Sequence, residues 1–206
     1  MPALPKENSF TPPPAGPHPA ICYSVVDKGT QPSFYEGKPP KHQISITWEL
    51  FCDEVRSDGR RFSISRTYAW TMHKMAALRC DLEAWRGRPF EKSDFGEGGF
   101  EIKRIIGTPC LVNVKHEEKP DGIKATVDSV LKLPKSMVAA VGKLQNDPLY
   151  LWLSQDEFVQ SEFDRLSDKM KEVIRRAPEY RAATTGEEVV TQDFDRGHDP
   201  DDDIPF

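Results

Sequence analysis

The stretch "DKGTQPSFYEGKPPK" sets two aromatic residues, Phe34 and Tyr35, beside two cations, Lys38 and Lys41. Aromatic rings stack on unpaired bases and ammonium groups track phosphates, which is the pairing a single-stranded nucleic acid requires. The surrounding glycines and prolines leave the rings little to pack under, so they either stack on a ligand or pin the loop. Two further turns add cations: "RSDGRR" with Arg56, Arg60 and Arg61, and the neighbourhood of "EKPDG" with Lys115, Lys119 and Lys124. One exposed cation is ordinarily a solvated one. Three basic turns on elements predicted to line one groove amount to a phosphate track.

Reactive constellations are missing from the sequence. His18, His42, His73, His116 and His198 are scattered, with no His-Glu-x-x-His, no nucleophile elbow and no Walker loop. Pro120-Asp121 opens no metal-nuclease pattern, because no Glu-x-Lys follows it, and a turn accounts for the pair. The aspartates near the end lack the spacing of a calcium loop. Cys22, Cys52, Cys80 and Cys110 include no Cys-x-x-Cys pair, which favours reduced, partly buried thiols over a zinc site. The expectation is a protein that is not an enzyme and needs no cofactor or metal.

The elements that must position these residues follow from periodicity. "AICYSVV" alternates Ile21, Tyr23 and Val25, and "HQISITWELF" alternates Ile44, Ile46, Trp48 and Leu50, each as a half-buried strand. Asp58-Gly59 supplies a tight turn before "RFSISRTYAW", which sets Phe62, Ile64 and Tyr68 on one face with Arg66 breaking the pattern, as at a rim. Met75, Leu78, Leu82 and Trp85 then recur at helical spacing until Gly87 and Pro89. Trp48, Trp85, Tyr23, Phe62 and Tyr68 are read as core, while Arg86 and Arg88 lie within reach of phosphate. "PCLVNVKHE" and "IKATVDSVLKL" form two more strands around a Pro-Asp-Gly turn. "SQDEFVQSEFDRLSDKMKEVIRR" reads as a helix capped by Ser154 and Glu157, with Val159, Phe163, Leu166, Met170 and Val173 on a face that closes the domain or joins a second subunit.

Five strands with one helix between the third and fourth is the order of an OB-fold, a mainly β, five-stranded Greek-key barrel that binds oligonucleotides or oligosaccharides. The 206 residues hold one domain with length to spare, since 30% are charged and only 37% apolar. The expected division is a proline-rich disordered start over 1–18, the OB-fold over 19–134, a helical extension over 135–177 and a disordered acidic tail over 178–206. The start lacks the apolar stretch of a secretory signal and no run is long enough to span a membrane, so a cytoplasmic location is expected.

Charge is unevenly spread. From Arg181 onward eight acids face two arginines, leaving residues 1–180 with a net +1 within an overall −5. The acidic balance belongs to the tail and leaves the body free to take an anionic ligand. Asp201, Asp202 and Asp203 are followed by Ile204, Pro205 and Phe206. Two apolar residues behind a carboxylate run suit a partner with a small apolar pocket ringed by Lys or Arg, which would hold the Phe206 ring and its carboxylate. Pro205 limits the entropy lost on docking.

This ending resembles the acidic tip of bacterial single-stranded DNA-binding proteins at all six positions, Asp201 to Phe206. The body over about residues 20 to 134, including "DLEAWRGRPF" (Asp81 to Phe90), more loosely resembles phage-encoded proteins of the same type. The resemblance implies DNA rather than RNA as ligand, a role in replication, recombination and repair, and a host cytoplasm as the setting. It also implies partner enzymes from those processes, docked on Phe206 with Asp201 to Asp203 supplying the surrounding charge. It leaves open whether the bacterial proteins' tetramer carries over. Two other functions fit the same residues: a recombination mediator or strand-annealing protein using the same groove, and an adaptor that binds protein only.

Overall fold

The computed structural model describes residues 11–33, 37–96, 98–120 and 122–186. Among them the chain is mainly β, with one six-stranded sheet. The strands are β1 (Gly16–Gln31), β2 (Lys41–Leu50), β3 (Ser63–Ala69), β4 (Pro109–Lys119), β5 (Gly122–Leu131) and β6 (Leu149–Leu151). Their order is β3-β2-β1-β4-β5, antiparallel throughout, with β6 added parallel to β1.

The long β1 organises the sheet by changing partners. Gly16 to Ile21 pair with β4, Ala20 to Gln31 pair with β2, and Ser24 to Val26 take β6 on the edge that β4 has left. The strand thus begins inside the segment expected to be disordered, and runs through Pro17 and Pro19. Both are tolerated because Pro19 faces the β2 side, where its carbonyl accepts the Phe51 N–H at 2.8 Å, so no ladder bond to β4 is lost. Register shifts between Cys22 and Ser24 and between Asp27 and Gly29 mark bulges. The first corrects the expected alternation: Ala20, Cys22 and Val25 join the main core, while Tyr23 falls in the bulge and is only half-buried.

Within that core Trp48 meets Trp85 with ring centroids 6.2 Å apart, among Ile44, Ile46, Leu50, Phe62, Ile64 and Tyr68. Trp85 comes from α1 (Ala77–Arg86), which buries Leu78, Leu82 and Trp85 and ends on Gly87 in the left-handed conformation, φ 71°. Met75 lies before the helix and is exposed rather than part of its stripe. Arg66 explains its position on the apolar side of β3. It donates to Asp81 of α1 at 2.9 Å and to the Asp128 carbonyl of β5 at 3.1 Å, joining the two ends of the strand order.

The C-terminal extension differs from the single helix expected. It begins with β6 and continues as α2 (Gln160–Asp164), α3 (Asp168–Arg175) and α4 (Pro178–Thr185). Ser154 opens only a turn, its carbonyl accepting the Phe158 N–H at 2.9 Å. Ser167 is the residue whose side chain caps a helix, accepting from the Met170 N–H. Residues 178–185, expected to begin a disordered tail, are helical because Pro178 suits a first helical turn and Gly186 ends it at φ 75°. The apolar face closes on the same chain: Phe163, Ile174 and Ala177 pack with Val26, Leu149, Leu151 and Leu153. Val25 and Val26 therefore face two different cores, so the second half of β1 is buried on both sides. Expected Val159, by contrast, is 47% exposed.

Candidate nucleic-acid interface

Four rings gather where β2 begins and β3 ends. His42 is the second residue of β2, Trp70 follows β3 and is tied back by its N–H to the His42 carbonyl at 2.8 Å, and Tyr150 and Trp152 come from β6 and the residues just after it. Trp70 and Trp152 meet edge to face at 4.9 Å, Tyr150 lies parallel to Trp152 at 6.2 Å, and His42 stacks on Trp152 at 6.3 Å. The sequence "LYLWL" explains this arrangement, because alternation sends Leu149, Leu151 and Leu153 to the helices and turns Tyr150 and Trp152 to the opposite face. Trp70 is 36% exposed and the other rings are half-buried. Lys103, in the 3-10 turn Ile102–Ile105, sets its ammonium 5.0 Å from the Tyr150 ring centroid. Such a surface offers π-faces and a cation to an unpaired base.

A polar layer beneath fixes the rings. His42 Nε2 lies 2.6 Å from Asp27 Oδ1 and its Nδ1 lies 3.7 Å from Glu179 of α4. Burial depresses the imidazole's basicity, but the Asp27 hydrogen bond and the charges of Asp27 and Glu179 outweigh it and raise the pKa above its ordinary value. Asp27 also accepts the Gly29 and Leu153 N–H groups at 2.8 and 3.2 Å. Glu179 accepts from the Thr30 N–H at 2.9 Å and from the Thr30 hydroxyl at 2.5 Å. β1, β2, the end of β6 and α4 thus converge on one imidazole.

The predicted site residues separate into two groups. Phe34 and Tyr35 lie outside the described residues, but the loop that carries them leaves and re-enters the sheet at Gln31 and Lys41, which pair beside His42. Lys38 and Lys41 are exposed at this end. The other cations sit at the far end of β1, since Ala20 pairs with Leu50 before the β2–β3 loop and Gly16 pairs with Val114 before the β4–β5 turn. There Arg56 and Arg60 are exposed, Arg56 meeting Asp58 at 3.2 Å. Lys115 and Lys119 share Glu117 at 3.5 and 3.4 Å, and Lys124 stands opposite Glu117 in the ladder. Exposed pairs of this kind are worth about 0–1 kcal/mol and give way readily to phosphate. The three basic turns are not gathered in one place: the loop with Lys38 and Lys41 lies at one end of β1 and the other two turns lie toward the other.

Arg61 has a different use. Its guanidinium donates to the fully buried Glu49 at 2.8 Å and to the Lys143 carbonyl at 2.7 Å, and it lies 4.3 Å over the Phe51 ring. Glu49 further accepts the Gln145 and Asn146 N–H groups at 3.0 Å and the Asn146 side-chain amide at 2.7 Å. Burial acts to raise the Glu49 carboxyl, yet these donors hold it below its ordinary range. This latch covers the outer face of β2 with residues 143–146 and commits Arg61 to structure. Arg86 is likewise engaged, with Asp94 at 2.7 Å and the Phe90 ring at 4.1 Å, while Arg88 is 56% exposed.

The tip, Asp201 to Phe206, lies outside the described residues. The four cysteines are free, Cys22 and Cys110 in the core with thiols that burial pushes well up. No helix among the described residues is long and apolar enough to cross a membrane. Among known proteins, no family model matches the chain and no curated protein matches it.

Proposed function

We propose that this chain binds single-stranded DNA without strong sequence preference, stacking bases on Trp70, Trp152 and Tyr150, and recruits replication, recombination or repair enzymes through Asp201 to Phe206. The single observation that carries the reading is the edge contact of Trp70 and Trp152 on a partly exposed surface, beside the roots of a loop containing Phe34, Tyr35, Lys38 and Lys41. Bases of any identity present a π-face, so a ring platform with flanking cations binds single strands with little regard to sequence. The sheet is read as an OB-fold, supported by the strand order, by α1 between β3 and β4, and by the Arg66 link from β3 to β5. DNA in preference to RNA rests on the resemblance of the tip.

Photo-cross-linking tests the placement. An oligo-dT carrying a few 5-iodouracils, irradiated with the full chain, should yield adducts on Trp70 or on the peptide holding Tyr150 and Trp152. Adducts confined to other surfaces would overturn the assignment.

A further inference from the structure

The 3-10 turn Ile102–Ile105 serves two surfaces. Lys103 sets its ammonium against the Tyr150 ring of the platform, while Arg104 and Ile105 line an open cavity of about 370 Å³ beside α1. That volume lies in the range of small-ligand sites. Leu82 and Trp85 of α1 give the cavity an apolar wall together with Phe100 and Leu133. Lys132 lies along the end of the helix, donating its N–H to the Ala84 carbonyl at 3.0 Å, and a Cβ on Gly87 would lie 2.9 Å from its Cδ. Arg104 meets Glu101 at 3.2 Å with both groups 62% exposed, a pair that yields readily to phosphate. Arg86, the third cation of the lining, is held by Asp94 at 2.7 Å. Among the described residues no acidic side chain lines the cavity.

Apolar walls under a cationic rim call for a flat, largely apolar body with negative charge on either side of it, and an unpaired nucleotide has that form. A base inside a duplex is stacked and paired, whereas one in a single strand turns out of the stack at little cost. Thr108 is the one hydroxyl in the lining, and the Trp85 N–H is engaged by the Pro109 carbonyl at 2.9 Å, so the cavity holds little with which to tell one base from another. We infer that this cavity is a second nucleotide subsite on the path of the single strand. One base turned out of the stack sits against Trp85, Phe100 and Ile105, and its flanking phosphates lie on Arg104 and Lys132. Lys103 joins the subsite to the ring platform, so the strand passes from Tyr150 across the turn into the cavity. The inference rests on the single-strand reading proposed above and extends it to a surface away from the four rings.

NMR of the full chain titrated with oligo-dT separates the two surfaces. Binding should shift the Trp70 and Trp152 indole signals and, in addition, the Trp85 indole and the Thr108 and Leu133 amides. In Arg104→Ala with Lys132→Ala, and separately in Val138→Glu, a position 55% exposed at the edge of the cavity, the cavity shifts should disappear while those of Trp70 and Trp152 remain. The double variant should also flatten the slope of log affinity against log salt by about 1.4, two phosphate contacts at about 0.7 each on a single strand. Shifts at Trp70 and Trp152 alone would overturn the subsite and leave the platform standing, and shifts at neither place would overturn both. Cavity shifts that inorganic phosphate reproduces in full, or that persist in both variants, would also overturn the subsite.

Discussion

Trp152 meets Trp70 edge to face at 4.9 Å, and His42 stacks on the same indole at 6.3 Å. Because His42 is itself fixed by Asp27 on β1 and neighboured by Glu179 on α4, the exposed rings and the C-terminal helices form one mechanical unit. Ring orientation is set by the fold before any ligand arrives, which lowers the entropy cost of binding.

Replacing Trp70 or Trp152 with Ala should weaken binding to oligo-dT by about 1–3 kcal/mol per lost stack, roughly 5- to 150-fold. Equilibrium titration by mobility shift measures it, with circular dichroism confirming that Trp70→Ala, the more exposed position, remains folded. Unchanged affinity in both variants would remove the rings from the interface.

The His42 cluster makes stability depend on pH with a definite sign. His42 has a raised pKa in the fold, so its contribution is complete below the unfolded value of about 6.5 and is lost as pH rises through the folded value. Thermal unfolding should therefore show wild type losing its advantage over His42→Gln as the pH is raised above about 6.5. Parallel curves for the two proteins would contradict the assignment.

Much of this arrangement is legible in the sequence, and the rest is hidden from it for physical reasons. Ile44, Ile46, Trp48 and Leu50 alternate because β2 faces a single core, so the pattern alone places Trp48 inside. Val25 and Val26 face two cores across a bulged strand, which no period-two pattern reports. "LYLWL" does alternate, but only three of its residues pair, and its ladder to β1 is parallel and distant in sequence. Trp70 lies one residue past β3 in phase with Ile64 and Tyr68, so alternation alone reads it as one more core residue, and only its contact with Trp152 identifies it as part of a site. Arg61 resembled any turn cation until the buried Glu49 claimed it.

Glu49 should respond in the opposite sense to His42. Its carboxyl is held below the ordinary range, so its contribution is present above about pH 4.3 and disappears as pH falls through the lower folded value. Glu49→Gln should cost roughly 2–4 kcal/mol at neutral pH, since Arg61 and the buried donors of residues 145–146 lose a charged acceptor. Urea unfolding at pH 7 and pH 3 checks both points, with the gap between wild type and variant narrowing at the lower pH.

Gly29 limits how closely α4 can dock. It has φ +65°, and an added Cβ would lie 2.5 Å from Ala177 Cβ and 2.7 Å from Glu179 Oε2. Gly29→Ala should destabilise by at least about 2 kcal/mol and expose α4. Gly59→Ala, at φ +77° with open space around it, should cost only about 1 kcal/mol. Hydrogen exchange of the α4 amides separates the two, accelerating in the first variant alone.

The central claim is most directly tested by titrating the full chain with oligo-dT and with a duplex of equal length, following tryptophan fluorescence across several salt concentrations. The account predicts quenching and tighter binding by the single strand, with affinity falling linearly against the logarithm of salt as the exposed lysines and arginines displace counterions. Equal binding to both forms, or binding to neither, would contradict it.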